Sequence, residues 1–279
     1  MSRRKRNFGL RAAFAFTALV AATGLPAAAQ SAQRLVRIGA QQLFLSCSGQ
    51  RHGAVVILEA GRGRTSDDWS KVQPAVARYT EVCSYDRAGL GRSLPHAAQV
   101  PPDDVTQSID GLHRLLAAAP IEPPFLMVGH SLGGLYVRHY QAKYPTDVKG
   151  LVFVDPAHDE QLWRALDIDP EAIHGVSLRP DDIRRGGFLP PREHLVWRAD
   201  IPLVVIRHGQ PIDLPLSLKA KSAQFEAMFI ALDEDLVSRS PYGQLRVAEH
   251  SGHMIPIEQP DIVIQAIHDV WKEIWDHSQ

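Results

Sequence analysis

The sequence VGHSLGGLY, from Val128 to Tyr136, constrains the fold of this chain more than any other stretch. It holds Ser131 in a G-x-S-x-G frame, with the apolar run Pro124 to Val128 before it and a helical pattern after it. A serine between a buried strand and a helix is typical of a nucleophile elbow, a sharp turn that lifts the hydroxyl above a sheet. Gly129 and Gly133 agree with that interpretation, because a tightly packed turn leaves no room for side chains there.

Apolar runs alternate with helical patterns on both sides of this motif. Leu35 to Ser48 predicts an antiparallel hairpin, and the rest of the pattern predicts a mostly parallel sheet with helices on both faces, which is the α/β class. The predicted strands after the hairpin are Ala54 to Leu58, Glu81 to Tyr85, Pro124 to Val128, Gly150 to Val154, Pro202 to Ile206 and Gln244 to Glu249. The predicted helices are Asp67 to Tyr79, Asp103 to Ala119, the helix after Ser131, Ser222 to Val237 and Asp261 to Trp275.

The pattern of strands stops between Ala157 and about Asp200. This segment mixes short helical pieces with prolines and the pair Gly186-Gly187. Because structureless loops of this length are uncommon in a compact domain, the segment predicts an inserted cap over the strand ends rather than a surface excursion.

The first 29 residues have the character of an export signal. Five basic residues accompany an apolar stretch from Ala12 to Leu25, and small residues follow up to Ala29, where we expect a signal peptidase to cleave. The mature domain would then cover residues 30–279 and be periplasmic or secreted. The pair Arg3-Arg4 leaves twin-arginine export as an alternative to the ordinary secretory route.

Removal of this segment leaves 25 basic and 31 acidic residues. A net negative charge disfavours nucleic acid and anionic membrane surfaces as partners. No later stretch of the sequence is long and apolar enough to span a bilayer, so we expect no integral membrane segment after signal removal.

Five motifs follow one another along the chain: LEAGRG, YDRAGLGRS, VGHSLGG, LVFVDPAH and SGHMIPIEQPDIV. In this order they resemble the α/β-hydrolase superfamily, and the resemblance covers essentially the whole mature sequence. It implies an eight-stranded, mostly parallel sheet flanked by helices, with a helical cap after strand six. It also implies the chemistry of a serine nucleophile, but it does not identify a substrate.

Ser131 needs a partner, because a serine hydroxyl is a poor nucleophile near neutral pH and requires a neighbouring base, usually a histidine oriented by a carboxylate. The superfamily places these groups in the order serine, acid, histidine. His253 fits the base, because it lies in the loop after the last predicted strand and beside a glycine. His250, three residues earlier, is the competing candidate.

Two aspartates are candidates for the acid. Asp155 follows the sixth predicted strand, a position that some lipase-like relatives use, although an aspartate there can also serve only to hold the strand end. Asp213 follows the seventh, where many relatives carry the acid, but it stands one residue beyond the usual spacing in a proline-flanked loop. The sequence favours Asp155 and leaves Asp213 open.

The oxyanion hole is expected to consist of two backbone N–H groups. One belongs to Leu132, directly after the nucleophile, and the other to Arg62 in the glycine-rich loop after the first parallel strand. Backbone donors are rigid and can therefore stabilise a developing negative charge without reorganising.

These residues together predict a serine hydrolase that cleaves an ester, or a related acyl bond, of a small molecule. Thioesterase, lactonase, amidase or acyltransferase activity on the same triad is an alternative, because the cap and the pocket select the substrate. A non-catalytic ligand-binding homologue is the alternative of another class. No metal or organic cofactor is implied.

Cys47 and Cys83 are the only cysteines, and both lie in predicted strands. In the implied fold these strands are antiparallel neighbours, so an exported protein could join them in a disulfide; two buried thiols are the alternative. The pair does not match the spacing of a metal site.

Overall fold

The computed structural model of the protein describes residues 32–94, 105–173 and 200–277. The predicted signal segment lies outside these ranges, as does the central part of the predicted cap, residues 174–199. Within the described ranges, no helix combines the length and the apolar character that a membrane crossing requires.

Eight strands form one mostly parallel sheet, which confirms the predicted fold class. The strand order is β1-β2-β4-β3-β5-β6-β7-β8; β2 runs antiparallel to both of its neighbours, and all later pairs are parallel. The strands are β1 (Ala32–Ile38), β2 (Gln41–Ser48), β3 (Val55–Glu59), β4 (Val82–Tyr85), β5 (Phe125–His130), β6 (Val148–Val154), β7 (Leu203–His208) and β8 (Gly243–Ala248).

Helices cover both faces of the sheet, which is why every residue of β3 and β5 is buried and the central strands are almost continuously apolar. Helices α2 and α3 pack on one face, and α1 and α7 pack on the other. The helices are α1 (Gln73–Val76), α2 (Val105–Ala118), α3 (Leu132–Lys143), α4 (Gln161–Ile168), α5 (Ser222–Ser238), α6 (Ile255–Glu258) and α7 (Pro260–Asp276).

The prediction of one continuous helix from Asp67 to Tyr79 is wrong. The structure has a short 3-10 helix at Ser66–Trp69 and then the single turn α1. Pro74 explains the break, because proline has no N–H to donate to the preceding turn and is tolerated only at the start of a helix.

A third, smaller apolar cluster lies beside the sheet, where the chain enters the predicted cap. Helix α4 and the 3-10 helix Leu216–Lys221 pack against α5 through Ala165, Leu218, Phe225, Met228 and Leu232. The described beginning of the segment after β6 is therefore helical and packed, and the cap as a whole stays a prediction.

A disulfide joins the first antiparallel strands to the parallel part of the sheet. Cys47 and Cys83 face each other across β2 and β4 with their Cα atoms 4.1 Å apart, and their sulfur atoms are bonded. The structure thus selects the bridge over two buried thiols. It closes a loop with a sequence separation of 36 residues.

Replacing both cysteines, Cys47→Ala with Cys83→Ala, is expected to lower the free energy of unfolding by about 3–4 kcal/mol, because the bridge restricts the unfolded chain over the whole closed loop. Urea unfolding of the oxidised protein and the variant measures the difference. Dithiothreitol should destabilise the parent and leave the variant unchanged. Equal unfolding midpoints for parent and variant in the absence of reductant would refute this prediction.

Candidate active site

The side chains of interest follow the carboxyl ends of the parallel strands, which meet at one edge of the sheet, where ligands bind in open α/β sheets. The glycine-rich loop begins at Ala60 after β3, Ser131 follows β5, and Asp155 follows β6. His208 is the last residue of β7, and His253 lies in the loop after β8.

Ser131 occupies a strained turn, with φ 54° and ψ −124°, a region that residues other than glycine seldom adopt. The two neighbouring glycines are required by close packing. A Cβ on Gly129 would lie 2.4 Å from the carbonyl oxygen of Gly133, and a Cβ on Gly133 would lie 2.4 Å from the carbonyl oxygen of Glu59. The predicted elbow therefore exists, and it is packed directly against the end of β3.

Ser131, His253 and Asp155 form a continuous hydrogen-bonded chain. The Ser131 Oγ lies 3.0 Å from His253 Nε2, and His253 Nδ1 lies 2.5 Å from Asp155 Oδ2. Because an ionised carboxylate only accepts hydrogen bonds, Nδ1 carries the proton and Nε2 is the acceptor for the serine hydroxyl. This tautomer is the one that a general base toward Ser131 requires.

The two competing candidates lie away from this chain. Asp213 is 90% exposed at its side chain and forms a surface ion pair with Lys219 at 3.3 Å. His250 is exposed, and its backbone N–H donates to the side chain of Gln259. Neither residue is among the described residues that line the cavity beside Ser131.

Asp155 has a second imidazole partner, His208, which the sequence analysis missed. His208 Nδ1 donates to Asp155 Oδ1 at 2.6 Å, and the His208 backbone N–H reaches the same oxygen at 3.1 Å. On the other side of the ring, Nε2 lies 2.9 Å from Glu226 Oε2. The motif IRHGQP contains the relevant signal. Its histidine ends the strand that neighbours the one before Asp155, and from there an imidazole can reach the carboxylate.

The two histidines and the carboxylate set each other's ionisation. Burial alone would raise the pKa of Asp155, but hydrogen bonds from His208 and His253 outweigh it and hold this pKa well below the usual range. Burial alone would lower the pKa of His208, but its hydrogen bond and charge interaction with Asp155, reinforced by Glu226, raise it to about 9. At neutral pH Asp155 is therefore ionised and His208 is a cation between two carboxylates.

His130, next to the nucleophile, supports the backbone of the His253 loop. Its Nε2 donates to the carbonyl oxygen of His253 at 2.8 Å, and the two imidazole rings are 4.8 Å apart. Burial, followed by the proximity of His253, lowers the pKa of His130 to about 4, so this ring is neutral. A neutral ring beside the imidazole of His253 adds no charge repulsion when His253 becomes protonated.

The glycine-rich loop is held against the elbow by a buried arginine. Arg87 is hydrogen-bonded to the Glu59 side chain, to the carbonyl oxygen of Ala60 at 2.6 Å and to that of Gly61. A Cβ on Gly61 would lie 3.2 Å from the Cβ of Ser131, so the loop passes directly beside the nucleophile.

The two predicted oxyanion donors belong to residues next to the nucleophile in sequence and next to Gly61 in the glycine-rich loop. Leu132 is the first residue of α3, and N–H groups of a first helical turn have no intrahelical acceptor. Arg62 follows Gly61 in the fixed loop. The role of these two N–H groups stays a prediction.

A cavity of about 200 Å³ opens beside Ser131. Its polar lining comprises Ser131, Asp155, Gln161, His208, Asp233 and His253. Apolar contacts come from Ile212, Phe229 and Leu232, among others. The described part of the chain contains one cluster with metal-ligand spacing, Cys47, Glu81 and Cys83, and the two sulfur atoms of that cluster are joined in the disulfide.

The sheet, the strained serine turn and the chain of hydrogen bonds define a fold of the α/β-hydrolase type. Residues 54–181 match the family model described as alpha/beta hydrolase fold. This match and the eight-stranded sheet assign the α/β-hydrolase fold to the chain.

One curated relative and two solved hydrolase structures are similar to most of the chain. The Bacillus subtilis protein YqjL is 28% identical over 225 residues, which cover 78% of this chain and 84% of YqjL. The carboxylesterase CesB of Bacillus subtilis has a TM-score of 0.59 at 17% identity, over 86% of this chain and 91% of CesB. The serine hydrolase CCSP0084 of Cycloclasticus zankles has a TM-score of 0.60 at 19% identity, over 88% of this chain and 100% of that protein. The chain spans less than half of two further curated relatives.

Proposed function

We propose that the protein is a serine hydrolase that cleaves carboxylic esters of small molecules through an acyl-enzyme intermediate. One observation carries this proposal: on the strained turn, the Ser131 Oγ lies 3.0 Å from His253 Nε2, and Asp155 lies 2.5 Å from Nδ1 of the same ring. Such a relay supplies the base that a serine hydroxyl needs and holds that base in the required tautomer.

In the proposed reaction, Ser131 attacks the ester carbonyl while His253 takes the hydroxyl proton. His253 then returns this proton to the leaving alcohol, and Asp155 stabilises the imidazolium that exists between the two transfers. Water repeats the sequence on the acyl-enzyme and releases the acid. The backbone N–H groups of Leu132 and Arg62 stabilise the oxyanion in both halves.

The size of the cavity supports a small acyl group. Its volume of about 200 Å³ is comparable to the cavity of about 150 Å³ that holds benzene in an engineered protein core. Ile212, Phe229 and Leu232 supply apolar contacts for a short carbon chain. A panel of esters, thioesters, lactones and amides with short acyl chains is therefore the appropriate set of substrates for the purified mature protein.

We also propose that the protein acts outside the cytoplasm, after removal of residues 1–29. The disulfide between Cys47 and Cys83 supports this location, because such bonds persist in oxidising compartments and are rare in the reducing cytosol.

A fluorophosphonate probe tests the proposed nucleophile directly, because it reacts with a serine only when a neighbouring base activates the hydroxyl. We expect one covalent adduct, located at Ser131 by peptide mass spectrometry. His253→Ala should abolish the labelling, whereas the matched variant His250→Ala should label at the rate of the parent. A folded parent that takes up no probe, or the reverse pattern in the two histidine variants, would show the proposal to be wrong.

A further inference from the structure

Asp233 is a buried carboxyl group that the proposed hydrolysis does not use. It lies on α5, is 4% exposed and lines the cavity that contains Ser131. Its pKa is set by burial and by nearby charges, and no hydrogen bond from the described residues contributes to it. Buried polar groups are almost always hydrogen-bonded, so a buried carboxyl without a partner facing a cavity indicates a missing ligand group.

The charges around Asp233 are of both signs. Asp155 and Glu234 both disfavour its ionised form, whereas His208 and Arg207 favour it. His208 is itself placed between the carboxylates of Asp155 and Glu226. Burial, followed by the charge of Asp155, raises the pKa of Asp233 to about 8, so the group carries a proton at neutral pH.

A cation in the cavity beside Asp233 would be stabilised by the carboxylate of Asp155 and by that of an ionised Asp233, because opposite charges attract strongly where water is excluded. The described residues that line the cavity include no lysine or arginine that could occupy this position. An anionic substrate group would meet Asp155 and Asp233 without a cationic partner other than His208, which already contacts two carboxylates.

We propose that Asp233 binds a primary ammonium group of the substrate, so that the preferred substrates are esters of short amino-substituted acids. The ester part of this proposal rests on the proposed esterase function, and the ammonium part rests on the position of Asp233 in the cavity. The ammonium ion supplies the hydrogen bonds that the buried carboxyl lacks, and the apolar side chains of Ile212, Phe229 and Leu232 contact the carbon chain between the two ends.

Proton release distinguishes this proposal from simple occupancy of the cavity. At pH 7 the carboxyl of Asp233 is protonated before binding, because its pKa is about 8. An ammonium ion stabilises the carboxylate, so binding below pH 8 releases up to one proton per ligand. A neutral ligand such as 1-butanol releases none.

The binding experiment uses the Ser131→Ala protein, so its result does not depend on hydrolysis. Calorimetric titrations with n-butylammonium and with 1-butanol at pH 7, in phosphate and in Tris, give affinity and proton release. We expect n-butylammonium to bind at least 10-fold more tightly than 1-butanol, with release of close to one proton. Asp233→Asn should remove both the preference and the proton release, and Glu122→Gln, the same change at an exposed carboxylate outside the cavity lining, should retain both.

Equal binding of the two ligands, absence of proton release or unchanged behaviour of Asp233→Asn would overturn the proposal. Thermal unfolding verifies that the variants are folded. In the parent enzyme, the p-nitrophenyl esters of β-alanine and of butyrate differ by an ammonium in place of a methyl group. The first should have a kcat/KM at least 10-fold higher, and Asp233→Asn should abolish this difference. Ammonium binding in a protein whose Ser131 does not react with the probe would refute the esterase function and leave the cation site standing.

Discussion

Replacing Ser131 with alanine is expected to lower kcat for the hydrolysis of short p-nitrophenyl esters by about 10⁵- to 10⁶-fold. The hydroxyl is the group that forms the acyl bond, and the described part of the cavity lining contains no second serine or cysteine to replace it. The residual rate of Ser131→Ala should be independent of His253, because the imidazole has no serine hydroxyl left to activate. Ser131→Ala and the double variant Ser131→Ala with His253→Ala should therefore have the same kcat. Initial rates at pH 8 measure both.

The control for Ser131→Ala is Ser238→Ala, which removes a hydroxyl at the end of α5 that bonds only to the local helix backbone. Its kcat should remain within about two-fold of the parent, since surface substitutions of this kind have small effects. Alanine at position 131 should leave the unfolding midpoint unchanged or slightly higher, because strained active-site residues trade stability for function. A kcat for Ser131→Ala within 10-fold of the parent, in a folded protein, would exclude Ser131 as the nucleophile.

The order of strands and helices was predictable because hydrophobic periodicity is a local property of the sequence. Strands β3 and β5 are covered by helices on both faces, so nearly all of their side chains must be apolar. Such continuous apolar runs are easily recognised in the sequence. The prediction of one helix from Asp67 to Tyr79 is wrong at Pro74, because proline breaks the interior of a helix even where the apolar pattern continues. The pairing of Cys47 with Cys83 depends on strand register, which becomes visible only in three dimensions.

Ser131, Asp155 and His253 were predictable because each follows the carboxyl end of a predicted strand, where a parallel sheet brings such residues together. His208 satisfies the same condition and was not predicted, because Asp213, further along the same segment, is the residue at the position where many relatives carry the acid. Glu226 and Asp233 could not be found this way. They lie seven residues apart on α5, and an acidic helix face in a sequence usually indicates a solvated surface. Their position beside the active site depends on how α5 packs against β7.

Asp155→Asn is expected to lower kcat by about 10⁴-fold, the size of the effect when a triad carboxylate becomes an amide. Asp155 accepts hydrogen bonds from two imidazole Nδ1 atoms, those of His208 and His253, and from one backbone N–H. Asparagine has one oxygen to accept and an amino group that only donates. One of the two rings must therefore meet a donor, and if this ring is His253, its Nε2 carries the proton and can no longer accept from Ser131.

Asp213→Asn is the matched variant, because it makes the same chemical change in the aspartate that the sequence left open. Its side chain is 90% exposed and its ion pair with Lys219 spans 3.3 Å, and exposed pairs of this kind contribute little to stability or orientation. We expect a kcat within about two-fold of the parent. The pH dependence of kcat adds a second test of Asp155. Its carboxylate is already ionised throughout the working pH range, so raising the pH cannot restore the activity that Asp155→Asn loses. Both variants are assayed on the same ester from pH 6 to 9, with circular dichroism to verify folding. Loss of activity in Asp213→Asn with retention in Asp155→Asn would show that Asp213 is the acid of the triad. The hydrogen bonds of Asp155 would then have a structural role only.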